Sequence, residues 1–112
     1  MSDLTEWLLA CIAEDEAVAR HKGADAMAGH RWKHAPENVY QEIQSEVLDN
    51  CRHVLAECEA KRRIVGLHPH ELESDDSVRQ CSTCRRPGLC GTVRALALPY
   101  AGRPGYREEW RP

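Results

Sequence analysis

Phenylalanine is absent from this 112-residue sequence, and the other aromatic residues are scarce, with three Trp and three Tyr. A domain of this length buries about two thirds of the surface that its unfolded chain exposes. With so few large apolar side chains, a hydrophobic cluster alone leaves little stability above the cost of ordering the chain, and the shortage predicts a staple in the form of a metal, a disulfide or a partner. No run approaches the roughly 20 apolar residues of a membrane span. The opening MSDLTEWLLACIAEDE has neither a basic start nor a long apolar centre, so the sequence reads as neither secreted nor membrane-bound but as cytoplasmic. Also missing are a phosphate-cradling glycine loop, a nucleophile paired with a base and a convincing carboxylate dyad, and their absence argues against an enzyme. No strand-rich run competes with helical periodicity, which predicts a mostly α fold.

Six cysteines are present, and three of them lie within the ten residues CSTCRRPGLC. In a reducing cytosol thiols stay free or bind metal, so three disulfides are not the expectation. Cys81 and Cys84 form a Cys-x2-Cys turn that offers two thiolates to one ion, with backbone amides able to donate to sulfur. Gly88 lets the chain reverse and brings Cys90 to a third vertex. Tetrahedral zinc needs a fourth ligand, and His68 or His70 supplies it most economically, with His68 preferred because Gly66 is expected to end the preceding helix in a left-handed turn. This predicts a structural zinc site in a zinc-knuckle-like loop. A catalytic zinc is not expected, since it needs an open position and a nearby acid or base. Three free thiols, or a redox Cys81–Cys84 disulfide, remain the alternatives. Cys11, Cys51 and Cys58 fall on apolar helix faces and read as small core hydrophobes. His30 and His34, four residues apart, have no third ligand nearby and read as loop histidines.

Helical spacing organises the rest. Ser2 or Asp3 caps a first helix over 3–22, whose stripe is Leu4, Trp7, Leu8, Cys11, Ile12 and Val18. GADAMAGHRWKHAP lacks a sustained period and predicts a loop over 23–35, anchored by Trp32. Pro36 opens a long central helix over 36–67, with a plausible bend or break at Asp49-Asn50. A polar connection and the cysteine site fill 68–91, a short helix follows over 92–98, and a tail over 99–112 carries Tyr100, Tyr106 and Trp110. These rings either fold back over the helices or form a partner-binding surface. The whole chain is expected to be one small helical domain.

Charge divides unevenly. Residues 1–78 carry 16 acidic and 8 basic side chains, whereas 79–112 carry 2 acidic residues and 7 Arg. Part of that positive charge is expected to screen the thiolates. The two function classes that remain are a non-enzymatic interaction or regulatory protein, acting through a protein partner or self-association, and a nucleic-acid-binding accessory protein using Arg85, Arg86, Arg94, Arg103 and Arg107. The second lacks any recognition motif.

EDEAVAR near the start, EAKRRIVGLH before the cysteine loop and the final CGTVRALALPYAGRPGYREEWRP together resemble a family of small uncharacterised proteins of actinobacteria and their phages, a domain of unknown function. The resemblance covers nearly the whole chain and implies a bacterial or phage cytosolic setting, with no established activity. It also implies roles for His68, at the helix-end position, and Cys90, before the last block. Within 23–35 the family often has a Pro-Gly-Pro-Trp type turn, where this chain reads AGHRWKH.

Overall fold

A computed structural model describes residues 2–28, 36–72, 79–86 and 88–112. The fold is mostly helical, as the sequence predicts: α1 (Asp3–Ala28), α2 (Glu37–Leu67), β1 (His70–Leu72), β2 (Arg79–Cys81) and α3 (Gly91–Ala97), then 3-10 turns at Leu98–Tyr100 and Glu108–Trp110. The chain groups into two compact units, one made of Met1–Ile12 with Ala60–Pro112 and the other of Ala13–Glu59.

In the first unit Ser2 caps α1. Its hydroxyl accepts from the Thr5 amide at 3.1 Å, and its carbonyl accepts from the Glu6 amide at 3.0 Å, which satisfies donors that the first turn would leave free. Leu4, Leu8 and Ile12 are wholly buried, the positions that 3–4 spacing marks for the core. The tail closes over this stripe. Trp7, Tyr106 and Trp110 stack around one another with ring centroids 5.5–5.8 Å apart, and Trp110 is buried. Pro104 accepts a hydrogen bond from the Trp7 indole at 3.0 Å. Gly105 lies next to that indole at φ 93°, and a Cβ there would stand 2.8 Å from Trp7 Nε1. The position therefore needs glycine twice, for its backbone angle and for its closeness.

The second unit shows why α1 runs past the predicted end at residue 22. Gly23 does not stop the helix, because Ala19, Gly23 and Ala26 continue one face at helical spacing, and a Cβ added at Gly23 would stand 3.9 Å from Cys51 Cβ, in ordinary contact. A segment that looks like loop is therefore helix with a face turned toward Cys51. Ala19, Ala26 and Cys51 are buried, while Val18, placed in the stripe by spacing, is 52% exposed. Gln44 donates to the Ala26 carbonyl at 2.9 Å and satisfies an acceptor in the last turn of α1. The rest of the predicted loop, with Trp32, His30 and His34, lies outside the described residues.

α2 is continuous through Asp49-Asn50. Both side chains face solvent, Asp49 pairs with Arg52 at 3.5 Å, and the neighbouring Cys51 faces inward, so the local bonding that would break a helix is not used. Two short strands accompany the helices. β1 and β2 pair antiparallel with His70 opposite Cys81, and Gln80 bridges to Gly88. Three-residue strands of polar composition are too short to display a period of two.

Candidate metal centre

Three local structures in the first unit bring the ligands together. α2 ends in a turn closed by the His68 amide on the Val65 carbonyl at 3.1 Å, and this turn aims the His68 ring. Gly66 lies inside the helix rather than in a left-handed turn, which corrects the expected reason for the orientation of His68. β2 delivers Cys81 at its last residue. The turn that follows is tied by the Arg85 amide on the Cys81 carbonyl at 2.8 Å, with Arg85 itself at φ 54°. Gly88, at φ 81°, then allows the reversal the sequence predicts and places Cys90 at the start of α3.

His68, Cys81, Cys84 and Cys90 present their donor atoms within 4.8 Å of one another, a group that could hold a metal ion. The His68 Nδ1 atom is 3.4 Å from Cys81 Sγ and 3.6 Å from Cys84 Sγ. The Cys84 amide points at Cys81 Sγ from 3.5 Å, the N–H-to-sulfur contact expected of a thiolate knuckle. Two further ties hold the turn against the helix end: the Ser82 amide donates to the Pro69 carbonyl at 2.8 Å, and the Thr83 hydroxyl donates to the Leu67 carbonyl. The Thr83 bond has a sign in the sequence, a hydroxyl residue inside the Cys-x2-Cys turn, whereas the Ser82 bond is made by the backbone and has none.

The thiols are unequal. Burial raises the Cys81 pKa, but hydrogen bonds from the Cys84 amide, the His68 ring and the Thr83 amide outweigh it and bring the group from 9.0 down to about 7. Cys84 is pushed up, by local loss of solvation and by the hydrogen bond and negative charge of Cys81. An ion would bind the thiolate form of both, so binding must release protons.

His70, the alternative ligand, is not in this group. Its ring is buried, and its Nε2 accepts a hydrogen bond from the Cys90 amide at 3.0 Å, so it supports the backbone of a ligand. Three sulfurs and one ring nitrogen form a donor set for a borderline or soft ion rather than a hard one. The sequence model of a family of unknown function (DUF6221) matches residues 1–112. The chain belongs to that family. No curated protein and no solved structure matches this DUF6221 chain.

The arginines named for nucleic acid are placed differently from one another. Arg94 donates through Nε to the Trp110 carbonyl at 3.1 Å and also to the Arg111 carbonyl. Arg103 lies over the Tyr100 ring and donates to the Cys11 carbonyl, and Arg107 pairs with Asp3 at 3.5 Å. These three fasten the tail. Arg85 and Arg86 are exposed beside the ligands. Among the described residues no helix is long and apolar enough to cross a membrane.

Proposed function

We propose that this DUF6221 chain is a small non-enzymatic interaction or regulatory protein, built around a structural zinc ion held by His68, Cys81, Cys84 and Cys90. The observation that carries the reading is the pair of sulfur-to-nitrogen distances at His68, 3.4 and 3.6 Å. A tetrahedron with metal–sulfur bonds of about 2.3 Å and a metal–nitrogen bond of about 2.0 Å has S···N edges of about 3.5 Å and S···S edges of about 3.8 Å. The 4.8 Å limit on the whole group leaves a contraction of about 1 Å at its widest edge. Four protein donors fill the tetrahedron, which supports a closed structural site over a catalytic one. Three thiolates on a divalent ion leave one net negative charge, which Arg85 and Arg86 offset from the surface.

The ion would tie the end of α2 to β2 and to the start of α3. Protein purified without added metal is expected to contain close to one zinc per chain, and a strong chelator is expected to lower its melting temperature sharply, since structural zinc contributes on the order of 10 kcal/mol in small modules. A metal-free protein whose melting is indifferent to chelator would defeat the reading.

One observation favours a second reading. The exposed Arg85 and Arg86 would let the chain contact nucleic-acid phosphates as an accessory protein. Duplex DNA binding that weakens steeply with rising salt would support it, and absence of binding at low salt would remove it.

A further inference from the structure

The four ligands are unequally open to solvent. Cys81 is 0% and Cys90 6% exposed and His68 is half-buried, whereas Cys84 is exposed. A surface cleft lined by Cys84, Arg86, Leu89, Cys90, Gly91 and Thr92 leads to the same side. A small solute therefore reaches the centre first at Cys84. Cys81 and Cys90 both lie near the Cys84 sulfur; the response falls to Cys81, which shares His68 Nδ1 with Cys84 as a close neighbour and already faces the Cys84 amide. The other three cysteines, Cys11, Cys51 and Cys58, are buried.

We infer that the centre is a redox switch, in which hydrogen peroxide oxidises Cys84 and Cys81 to a disulfide and the metal leaves. This rests on the structural-metal reading above. In the first step the Cys84 thiolate attacks a peroxide oxygen, the O–O bond breaks, hydroxide departs and Cys84 becomes a sulfenic acid. In the second, the Cys81 thiolate attacks the Cys84 sulfur, the S–O bond breaks, and a second hydroxide departs as the S–S bond forms. Two thiolates lose two electrons in all, and hydrogen peroxide gains them as two hydroxides, which solvent protons convert to water. The Arg86 guanidinium on the cleft wall offers positive charge to the departing hydroxide. The Sγ atoms start within 4.8 Å and must close to about 2.05 Å, a movement the knuckle turn can make once the ion no longer holds it open. Of the four clustered donors Cys90 and His68 then remain, too few for a structural site. A dithiol reductant returns two electrons, restores both thiols and allows the site to refill.

The test uses the full-length chain loaded with one equivalent of zinc, freed of reductant and titrated with hydrogen peroxide. Released zinc is followed with a chromogenic chelator, and disulfides are located by peptide mass mapping. One zinc released per peroxide consumed, a Cys81–Cys84 disulfide, Cys11, Cys51 and Cys58 still reduced, and reloading after reductant are the expected results. Zinc retained under a large excess of peroxide would overturn the switch, as would release that accompanies oxidation of Cys11, Cys51 or Cys58 instead. A disulfide joining Cys84 to Cys90 would overturn the assigned pairing. A chain that takes up no zinc at the loading step overturns the structural-metal reading itself, before any peroxide is added.

Discussion

Gly105→Ala is expected to be among the most damaging single-methyl additions in this protein, for reasons visible at one contact. The residue sits at φ 93°, where an L side chain costs roughly 1–3 kcal/mol. The new Cβ would stand 2.8 Å from Trp7 Nε1 and 3.1 Å from Trp7 Cδ1, and the indole cannot retreat freely because it is packed against Tyr106 and Trp110 and bonded to the Pro104 carbonyl. Overpacking of this kind costs about 1–3 kcal/mol. The two effects together give about 2–6 kcal/mol, or a fall in melting temperature of roughly 8–24 °C at about 4 °C per kcal/mol. Gly102→Ala is the internal control, since nothing lies within 4 Å of its Cβ position. Thermal unfolding followed by tryptophan fluorescence compares the pair directly, because the perturbed contact is itself an indole. Equal melting temperatures for the two variants would refute the packing of the tail against α1.

A chain truncated after Tyr100 loses Tyr106 and Trp110, exposes Trp7, and is expected to be less stable by about 3 kcal/mol or more in denaturant unfolding, the scale of deleting a buried aromatic side chain. His68→Ala is expected to abolish metal binding, whereas His70→Ala keeps the full stoichiometry and weakens affinity about 10–100-fold, as loss of a supporting hydrogen bond does, which competition with a calibrated chelator would show. In metal-free protein the Cys81 thiolate is expected to titrate near pH 7 by its ultraviolet absorbance. Because the folded value lies below the ordinary 9.0, this group's contribution to stability is complete above that value and is lost as pH falls through about 7; a single thiol step near 9 would contradict the asymmetry of the pair.

Spacing in the sequence marks the core of the first unit and the three clustered cysteines, and it leaves the histidine open between His68 and His70. Leu4, Leu8 and Ile12 recur at helical intervals, and a Cys-x2-Cys turn followed by a glycine-assisted reversal allows few arrangements for Cys90. What spacing conveys poorly is a contact made by small residues. Ala19 and Ala26 are buried on the face that carries α1 beyond residue 22, yet alanine and glycine look like a loop when large apolar residues define the stripe. The choice between His68 and His70 depended on a two-stranded hairpin too short to announce itself. Once His70 stands opposite Cys81, its ring is committed to the Cys90 amide. The basic C-terminal third offers five arginines as candidate phosphate contacts in the sequence, but Arg94, Arg103 and Arg107 bond to the carbonyls and carboxylate that fasten the tail, which only the fold reveals.

The central claim is that three sulfurs and one imidazole nitrogen close around a single ion, and X-ray absorption fine structure at the zinc edge counts those atoms directly. The expected spectrum has three sulfur scatterers at about 2.3 Å and one nitrogen at about 2.0 Å, with the sulfur count falling by one in Cys90→Ser if any metal is retained. A shell dominated by oxygen or nitrogen, a six-coordinate ion, or a wild-type spectrum unchanged by Cys90→Ser would contradict it.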